Sequence, residues 1–454
     1  MSRTETLRSE ARRYMRASAP RTPEAHLLDT ELGHHIFVAD GSRLFDADDA
    51  LARRLHAALD AGTVAEPLAE LGLGGPPLID DTPLAPPAVH ALSLAVAQKC
   101  NLGCSYCYAR QGEFGGPAKN MPLEVAERAV ELLMAETEPG ARLNLAFLGG
   151  EPLVNRPVLR AATARAAELA GRRGLEITFS ITTNGTLVTD EDARFFEDHG
   201  FAVTVSVDGP REVHDALRPF RGGRGSFDSV MRNVRPLLAR QRRMQVSARV
   251  TVTPRNLALR DTLDELIAAG FHSVGFSPML SAPGGTDEMQ AADLELMLGE
   301  MIDCGREFER RSRAGERYPF ANMVNAMREI ARGTHRPYPC GAGAGYLGVS
   351  ADGELSACHR FVGDAEGAMG SLADGIDRAR QAEWLAERHV HRQEPCRSCW
   401  ARYLCGGGCH HEVIRRGRPA CDYIRGWLHY CLEAYLRLSV DGAVAPGRRA
   451  AVPA

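Results

Sequence analysis

The sequence predicts an α/β protein: a partial (β/α)6 barrel, preceded by a small α+β module and followed by a cysteine-rich domain. Three observations carry this. Six apolar strand patterns alternate with amphipathic helical patterns between residues 91 and about 280. From 340 to about 425 the chain is rich in Gly and Cys and has little continuous apolar periodicity. Residues 1–88 hold no cysteine and end in a proline-rich stretch, GGPPLIDDTPLAPPAVH, which suits a stiff linker.

The strand patterns are ALSLAVA (91–97), LNLAFLG (143–149), EITFSITT (176–183), AVTVSVD (202–208), VSARVTVT (246–253) and SVGFSPM (273–279). Helical patterns such as PLEVAERAVELLMAE and LRDTLDELIAAG lie between them. Apolar strands alternating with amphipathic helices imply a parallel sheet covered by helices. Six units fall short of the eight of a closed barrel. Ahead of the linker, HHIFVADGSRLFDAD reads as two strands around Asp40-Gly41, with ALARRLHAAL and VAEPLAEL as short helices. The expected domains are 1–88, a module with its linker; 89–284, the barrel; 285–335, a helical bridge; 336–430, the cysteine-rich domain; and 431–454, a tail disordered from about 440.

The chain has 454 residues, 44% hydrophobic and 25% charged, an ordinary globular composition. Lys+Arg is 54 and Asp+Glu 58, a formal net charge of −4. With no polybasic block, neither nucleic acid nor an anionic membrane surface is the expected partner. No apolar run spans a membrane, and MSRTETLRSEARRYMRASAP has no signal-peptide core. The expected location is the cytoplasm, where clustered cysteines hold metals or do redox chemistry more often than they form disulfides.

Twelve cysteines are present. Cys100, Cys104 and Cys107 form C-x3-C-x2-C just after the first barrel strand. Three thiolates on one short loop hold three irons of a [4Fe–4S] cube and leave the fourth open. A structural zinc site needs four ligands. Gly149-Gly150-Glu151-Pro152, Thr183-Asn184-Gly185 and Ser206-Val207-Asp208-Gly209 end the next three strands, where barrel active sites lie. The glycines expose backbone, the carboxylate of Glu151 suits an ammonium, and Ser206 and Asp208 suit ribose hydroxyls. Farther on come Cys340-x12-Gly353-x4-Cys358, then Cys396-x2-Cys399-x5-Cys405-x3-Cys409, then Cys421. A zinc ribbon is the competing reading of this last set.

The loop CNLGCSYCYA resembles the radical S-adenosylmethionine (SAM) superfamily. The resemblance implies a cluster whose open iron chelates the amino and carboxylate groups of SAM. One electron then splits SAM to a 5′-deoxyadenosyl radical. It assigns SAM contacts to Tyr106 of the loop, to Gly149, Gly150, Glu151, Thr183, Asn184, Ser206 and Asp208, and to Arg218 within HDALRPFRGGRGSFDSV. The seven later cysteines resemble the SPASM auxiliary-cluster motif. By position, Cys396, Cys399, Cys405 and Cys421 would hold auxiliary cluster II, and Cys340, Cys358 and Cys409 auxiliary cluster I, both expected as [4Fe–4S]. Some SPASM enzymes have one more cysteine shortly after the first ligand. CGAGAGYLGVSADG has none after Cys340, so cluster I has either an open iron or a distant ligand, Cys431 or Cys304.

The stretch CGAGAGYLGVSADGELSACHRFVGD resembles maturases that install thioethers in ribosomal peptides, and the related quinohemoprotein amine dehydrogenase maturases. His359 follows Cys358 where sulfatase-maturing relatives carry a carboxylate base, so it is the candidate catalytic residue. AGTVAEPLAEL resembles the second helix of a winged-helix-like precursor-peptide recognition element, which adds a leader peptide to a sheet edge. Together these imply a radical SAM maturase that crosslinks a precursor peptide or small protein through a thioether or a C–C bond, served by flavodoxin or ferredoxin. Two rivals remain: a formylglycine-forming maturase of the sulfatase type, and a non-catalytic Fe–S electron carrier or scaffold.

Overall fold

The structure, a computed structural model, describes residues 2–443 and 449–451. The chain opens with α1 (Arg3–Ala17), capped by Ser2 and Glu5, followed by β1 (Ala25–Thr30), β2 (Gly33–Val38), β3 (Arg43–Ala47), α2 (Asp49–Ala61) and α3 (Ala65–Glu70). The three strands form an antiparallel meander with the expected hairpin between β2 and β3. Alternate residues Ile36, Val38 and Phe45 meet Leu55, Leu59 and Leu68 in a small separate core. The strand–strand–helix–helix pattern is therefore present, with β1 added.

The boundary at residue 1 needs correction, because α1 does not join this module. It lies instead on two later helices. A Cβ on Gly299 would stand 2.5 Å from the Leu7 carbonyl oxygen, so α1 approaches at backbone distance. Tyr14 donates to Glu433 at 2.9 Å and Arg3 to Glu300 at 2.7 Å.

The barrel follows as β4 (Ala91–Gln98), a short β5 (Lys119–Asn120), α4 (Leu123–Ala135), β6 (Arg142–Gly149), α5 (Arg156–Arg173), β7 (Glu176–Thr183), α6 (Asp190–Asp198), β8 (Ala202–Ser206), α7 (Arg211–Leu217), α8 (Phe227–Arg240), β9 (Gln245–Val252), α9 (Leu259–Ala268) and β10 (Ser273–Pro278). Strands β4, β6, β7, β8, β9 and β10 lie side by side, all parallel. Each agrees with its expected strand to within two residues. Their outer faces are apolar and buried under helices, as with Val246, Ala248, Val250 and Val252 on β9. Burying each such side chain contributes about 1.5–3 kcal/mol. The inner faces are small and polar: Ser180 and Thr182 on β7, Thr204 and Ser206 on β8, Ser247 and Thr251 on β9, Ser277 on β10. Such a lumen is hydrophilic and has room for a ligand.

The helical bridge is α10 (Ala291–Arg313) and α11 (Ala321–Ala331). Beyond it come β11 (Tyr346–Val349), β12 (Glu354–Ser356), β13 (Ala368–Ser371), β14 (Gly375–Ile376), α12 (Arg378–Arg388), α13 (Arg402–Cys405), α14 (His410–Arg416) and α15 (Cys421–Val440). β11 pairs in parallel with β4, Tyr346 opposite Ala91. The cysteine-rich domain thus continues the barrel sheet, and covering the β4 edge removes an exposed row of backbone donors.

The expected tail from 431 is a second correction. α15 runs unbroken to Val440, and Tyr430, Cys431, Leu432, Ala434, Tyr435, Leu436 and Leu438 are all buried. The helical apolar spacing of YCLEAYLRL holds it against α1, α10 and α11. The expected disorder falls on residues that, apart from a short β15 (Arg449–Ala451) parallel to β3, lie outside the described ones.

Candidate active site

The loop after β4 carries Cys100, Cys104 and Cys107 at the carboxyl end of the sheet. The Cys107 amide donates to the Cys104 carbonyl at 3.3 Å, a turn that brings the thiols together. Each thiol in turn feels the others. Burial pushes Cys104 up to about 12; Arg218 opposes this, and Cys107 and Cys100 add to it. Burial also raises Cys100, partly offset by the Leu102 amide. Bringing buried thiols together with no disulfide costs free energy unless a metal takes them as thiolates.

Glycines let the second strand end meet this loop. Gly149 has φ +140°, and a Cβ there would stand 2.3 Å from the Ala97 carbonyl oxygen. A Cβ on Gly150 would stand 2.3 Å from the carbonyl oxygen of Lys99, the residue before Cys100. The two glycines let the strand ends approach closely.

Glu151 is 0% exposed. Its Oε1 accepts from Thr183 Oγ1 at 2.8 Å and the Leu153 amide at 3.0 Å, and its Oε2 from the Asn184 amide at 2.7 Å. Burial nevertheless raises its pKa above the ordinary value. It is a strut between β6 and β7. Asn184, held by this strut, donates to Asn101 Oδ1 at 2.9 Å and approaches Cys100 Sγ at 3.6 Å. Thr183 and Asn184 thus brace the cysteine loop.

A second buried group lies at the end of β8. Asp208, 0% exposed, accepts from Tyr106 Oη and from the Thr251 amide at 2.9 Å, and stands 3.6 Å from Arg218 Nη1. These contacts fix its carboxylate in place beside the cysteine loop. Ser206, half-buried on the lumen face, keeps its hydroxyl unpaired among the described residues. Arg218 is only 8% exposed, and its Nε is buried without a partner. Burial opposes its charge, but Cys104, Tyr106 and Asp208 together raise its pKa above the ordinary value. It is a loaded cation beside the cysteine loop, not a solvated surface arginine.

The later cysteines divide into two sets. Cys340, Cys358 and Cys409 act electrostatically on one another. Cys396, Cys399, Cys405 and Cys421 do the same. Burial pushes Cys358 and Cys396 up to about 12. The second set lines a cavity of about 70 Å³. Gly406, Gly407 and Gly408 all have φ between +69° and +96°, which turns the Gly407 and Gly408 amides onto Cys405. The donor set, four thiols lining one cavity, fits an Fe–S cluster.

Of the two distant candidates for the first set, Cys431 is 0% exposed within α15 and feels Glu309, and Cys304 is 0% exposed within α10 and feels Glu300 and Asp303; neither is among the groups that act most on Cys340 or Cys358.

His359 is half-buried at the lumen mouth, its Nδ1 2.8 Å from Tyr346 Oη, which in turn donates to Ser93 Oγ at 2.9 Å. Burial, with Arg360, Arg249 and His411 adding, holds its pKa down at about 3. The ring is neutral, the form that can accept a proton, and its hydrogen bond to Tyr346 fixes its orientation.

Sequence reasoning passed over the residues around it. Tyr108 lies between the two cysteine regions, acted on by Cys107 and Cys358 alike. Its ring centroid is 5.9 Å from that of His359, and Arg360 lies 5.3 Å above it. Arg360 donates to Glu412 at 2.8 Å and approaches Cys409 Sγ at 3.7 Å. Tyr108, Arg110, Arg360, His411 and Arg415 line a cavity of about 450 Å³ at the lumen mouth. A cavity of about 830 Å³ lies elsewhere, between β1 and helices α1, α10 and α15. No described helix is long and apolar enough to cross a membrane.

Residues 94–266 match the model of the Radical SAM superfamily. That span runs from β4 into α9 and contains the loop, its struts and the Tyr106–Asp208–Arg218 group. The chain is a radical SAM enzyme, and its cofactors include SAM and a [4Fe–4S] cluster. Within the superfamily it is related to anaerobic sulfatase-maturating enzymes. The serine-type enzyme of Klebsiella aerogenes is 28% identical over 356 residues, covering 76% of this chain and 85% of the relative. The cysteine-type enzyme of Clostridium novyi is 31% identical over 144 residues, 31% of this chain and 38% of the relative. The fold is shared with anSMEcpe bound to AdoMet and the Cp18Cys peptide, at TM-score 0.61 and 21% identity over 79% of this chain and all of that one. It is shared also with Streptococcus suis SuiB bound to precursor peptide SuiA, at TM-score 0.51 and 14% identity over 88% of this chain and 97% of that one.

Proposed function

We propose that this enzyme matures a precursor peptide or small protein by installing a crosslink, a thioether before a C–C bond. One observation carries the reading. Cys340, Cys358 and Cys409 form a three-thiol set, and the two cysteines that could complete it are buried elsewhere. Auxiliary cluster I held by these three is one ligand short, and a substrate thiolate is a ligand of the missing kind. Tyr108 feels both Cys107 of the SAM-binding loop and Cys358 of this set.

When bound, the clusters supply the electron that splits SAM to the 5′-deoxyadenosyl radical and take up the surplus electron afterwards. The chain's residues do the rest. Cys100, Cys104 and Cys107 hold the loop cluster. Arg218, with its unpartnered Nε, pairs the SAM carboxylate, and Ser206 offers a hydroxyl to the ribose. Tyr106 and Asp208 fix Arg218, and Glu151, Thr183 and Asn184 fix the loop. Cys396, Cys399, Cys405 and Cys421 hold auxiliary cluster II. The N-terminal module takes the leader, and flavodoxin or ferredoxin supplies electrons. The peptide-bound states of anSMEcpe and SuiB support a peptide as substrate.

The sulfatase-maturating relatives favour a second reading, formylglycine formation. The imidazole of His359 in place of the carboxylate base of those relatives weighs against it. The test is mass spectrometry of the cysteine-containing peptides encoded beside this gene, after anaerobic incubation with the reconstituted enzyme, SAM and dithionite. Loss of two hydrogens with a linkage on fragmentation supports crosslinking; an aldehyde supports the second reading. Cys399→Ala is expected to keep some SAM cleavage and lose the peptide product.

A further inference from the structure

The small N-terminal sheet has two edges. That of β3 is covered by β15, which pairs with it from Arg449 opposite Leu44 to Ala451 opposite Asp46. On its outer side β1 meets no strand among the described residues. Glu24 accepts from the Ala39 amide at 2.8 Å, and bonded positions alternate along an antiparallel pair. His26, Leu28 and Thr30, opposite Phe37, His35 and Gly33, therefore turn their backbone groups toward β2. The amides and carbonyls of Ala25, Leu27 and Asp29 point the other way, and among the described residues none of them has a hydrogen-bond partner. Sheets usually blunt such an edge with a proline, a lysine or a bulge. AHLLDT contains neither residue, and its register against β2 runs unbroken.

The cavity of about 830 Å³ runs along this edge. Successive residues of a strand point to opposite faces, yet Ala25, His26, Leu27, Asp29 and Thr30 all line it, as an opening at the side of the strand requires. Helices α1, α10 and α15 stand across from the edge and shield it from the edge of a second folded sheet. The gap is held open on both sides. His26 fastens β1 to α15, its Nε2 2.7 Å from His429 Nδ1, and its ring stacks on Trp400 with centroids 4.0 Å apart. Tyr14 fastens α1 to the same helix through Glu433 at 2.9 Å. The lining carries five arginines and four carboxylates, which suits neither a lipid tail nor the apolar face of a partner helix. A peptide backbone suits it, because its donors and acceptors match those of the edge. We propose that β1 takes up an extended segment of the peptide substrate as an added strand. None of the described cysteines lines this cavity, so the segment held here is recognised and does not react. The proposal rests on the peptide-maturase reading and deepens it, by giving the N-terminal module its binding surface. Six residues of β1 offer an edge about 20 Å long.

The test uses the cluster-loaded enzyme with SAM bound and, as probes, synthetic full-length peptides of the short reading frames beside the gene. Hydrogen exchange resolved to single amides is read on the enzyme alone and with each peptide. In the free enzyme the amides of Leu27 and Asp29 are expected to exchange fast, and those of His26, Leu28 and Thr30 slowly. A peptide that becomes modified is expected to slow the first two by about fivefold or more, the worth of one net hydrogen bond. Asp29→Pro removes one outward amide and leaves the ladder to β2 whole. It is expected to raise KM for that peptide about fivefold or more with kcat kept, whereas Asp29→Ala, which retains the amide, keeps KM near the wild-type value. The exchange pattern is read on the wild type, so it decides the matter even where the proline variant does not fold. Slow Leu27 and Asp29 amides in the free enzyme, a modified peptide that leaves them fast, or a wild-type KM in Asp29→Pro overturns the proposal. Those outcomes leave the reading beneath it standing, because the peptide is still modified. SAM cleavage with none of the peptides modified sinks that reading, and the added strand with it.

Discussion

Replacing Glu151 with Gln separates a strut from a ligand contact. The carboxylate is 0% exposed and accepts three hydrogen bonds, from Thr183 Oγ1 at 2.8 Å, the Asn184 amide at 2.7 Å and the Leu153 amide at 3.0 Å. Gln keeps the volume but turns one acceptor into a donor. If its oxygen stays with Thr183 and Leu153, its nitrogen faces the Asn184 amide. The Asn184 N–H then loses its acceptor and the buried amide nitrogen opposite finds none, at about 1–3 kcal/mol or more. The two surviving bonds lose their charge assistance, about 1 kcal/mol each. The sum is about 3–5 kcal/mol. For a barrel of this size unfolding as a unit, that lowers Tm by roughly 10 °C. The assay is thermal unfolding of cluster-free protein in the absence of SAM, beside SAM cleavage by the reconstituted enzyme. An unchanged Tm with a raised KM for SAM would refute the strut and return Glu151 to direct ligand binding.

Other predictions follow from the same geometry. Cys431→Ala is expected to keep its full iron content, whereas Cys409→Ala loses about four irons per chain; iron lost from Cys431→Ala would show that this thiol is a ligand after all. His214 is buried with Nδ1 accepting from the Asp208 amide at 3.2 Å and Nε2 3.0 Å from Ser226 Oγ, whose own proton goes to the Arg218 carbonyl. Burial, with Arg218 adding, holds its pKa down at about 3. The folded state thus resists a proton that the unfolded chain takes up below about 6.5. Stability is full above that pH and falls by about 1.4 kcal/mol per unit as pH drops toward 3. Urea midpoints of the cluster-free protein between pH 7.5 and 5.5 read this, and His214→Gln is expected to flatten the slope.

The barrel was legible because strands with one buried face advertise themselves in every second residue, and all six strand patterns meet their strands. The cysteine sets were legible because ligand spacing along a chain is a chemical constraint in its own right. Helix α1 escaped because its buried positions, Leu7, Ala11 and Tyr14, are few among arginines and glutamates; α10 and α15, which make it a packed helix, come about 290 and 420 residues later. The end of α15 was hidden by the habit of reading a chain's last residues as loose, although Leu432, Tyr435 and Leu436 share a face. Site roles were harder to read. GGEP is a pattern of residue types, and only the fold shows that Glu151 spends its oxygens on β7. The open edge of β1 left no signal in AHLLDT, because which edge of a sheet stays uncovered is a fact of three dimensions.

The central claim is that three thiolates beside the glycine-braced strand end hold a cluster that activates SAM. Protein reconstituted anaerobically with iron and sulfide, then given SAM and dithionite, tests it most directly by the 5′-deoxyadenosine formed. The expected result is brown protein with about twelve irons per chain that yields 5′-deoxyadenosine, with the yield lost in Cys104→Ala. Colourless protein that binds zinc, or brown protein that leaves SAM intact, would contradict it.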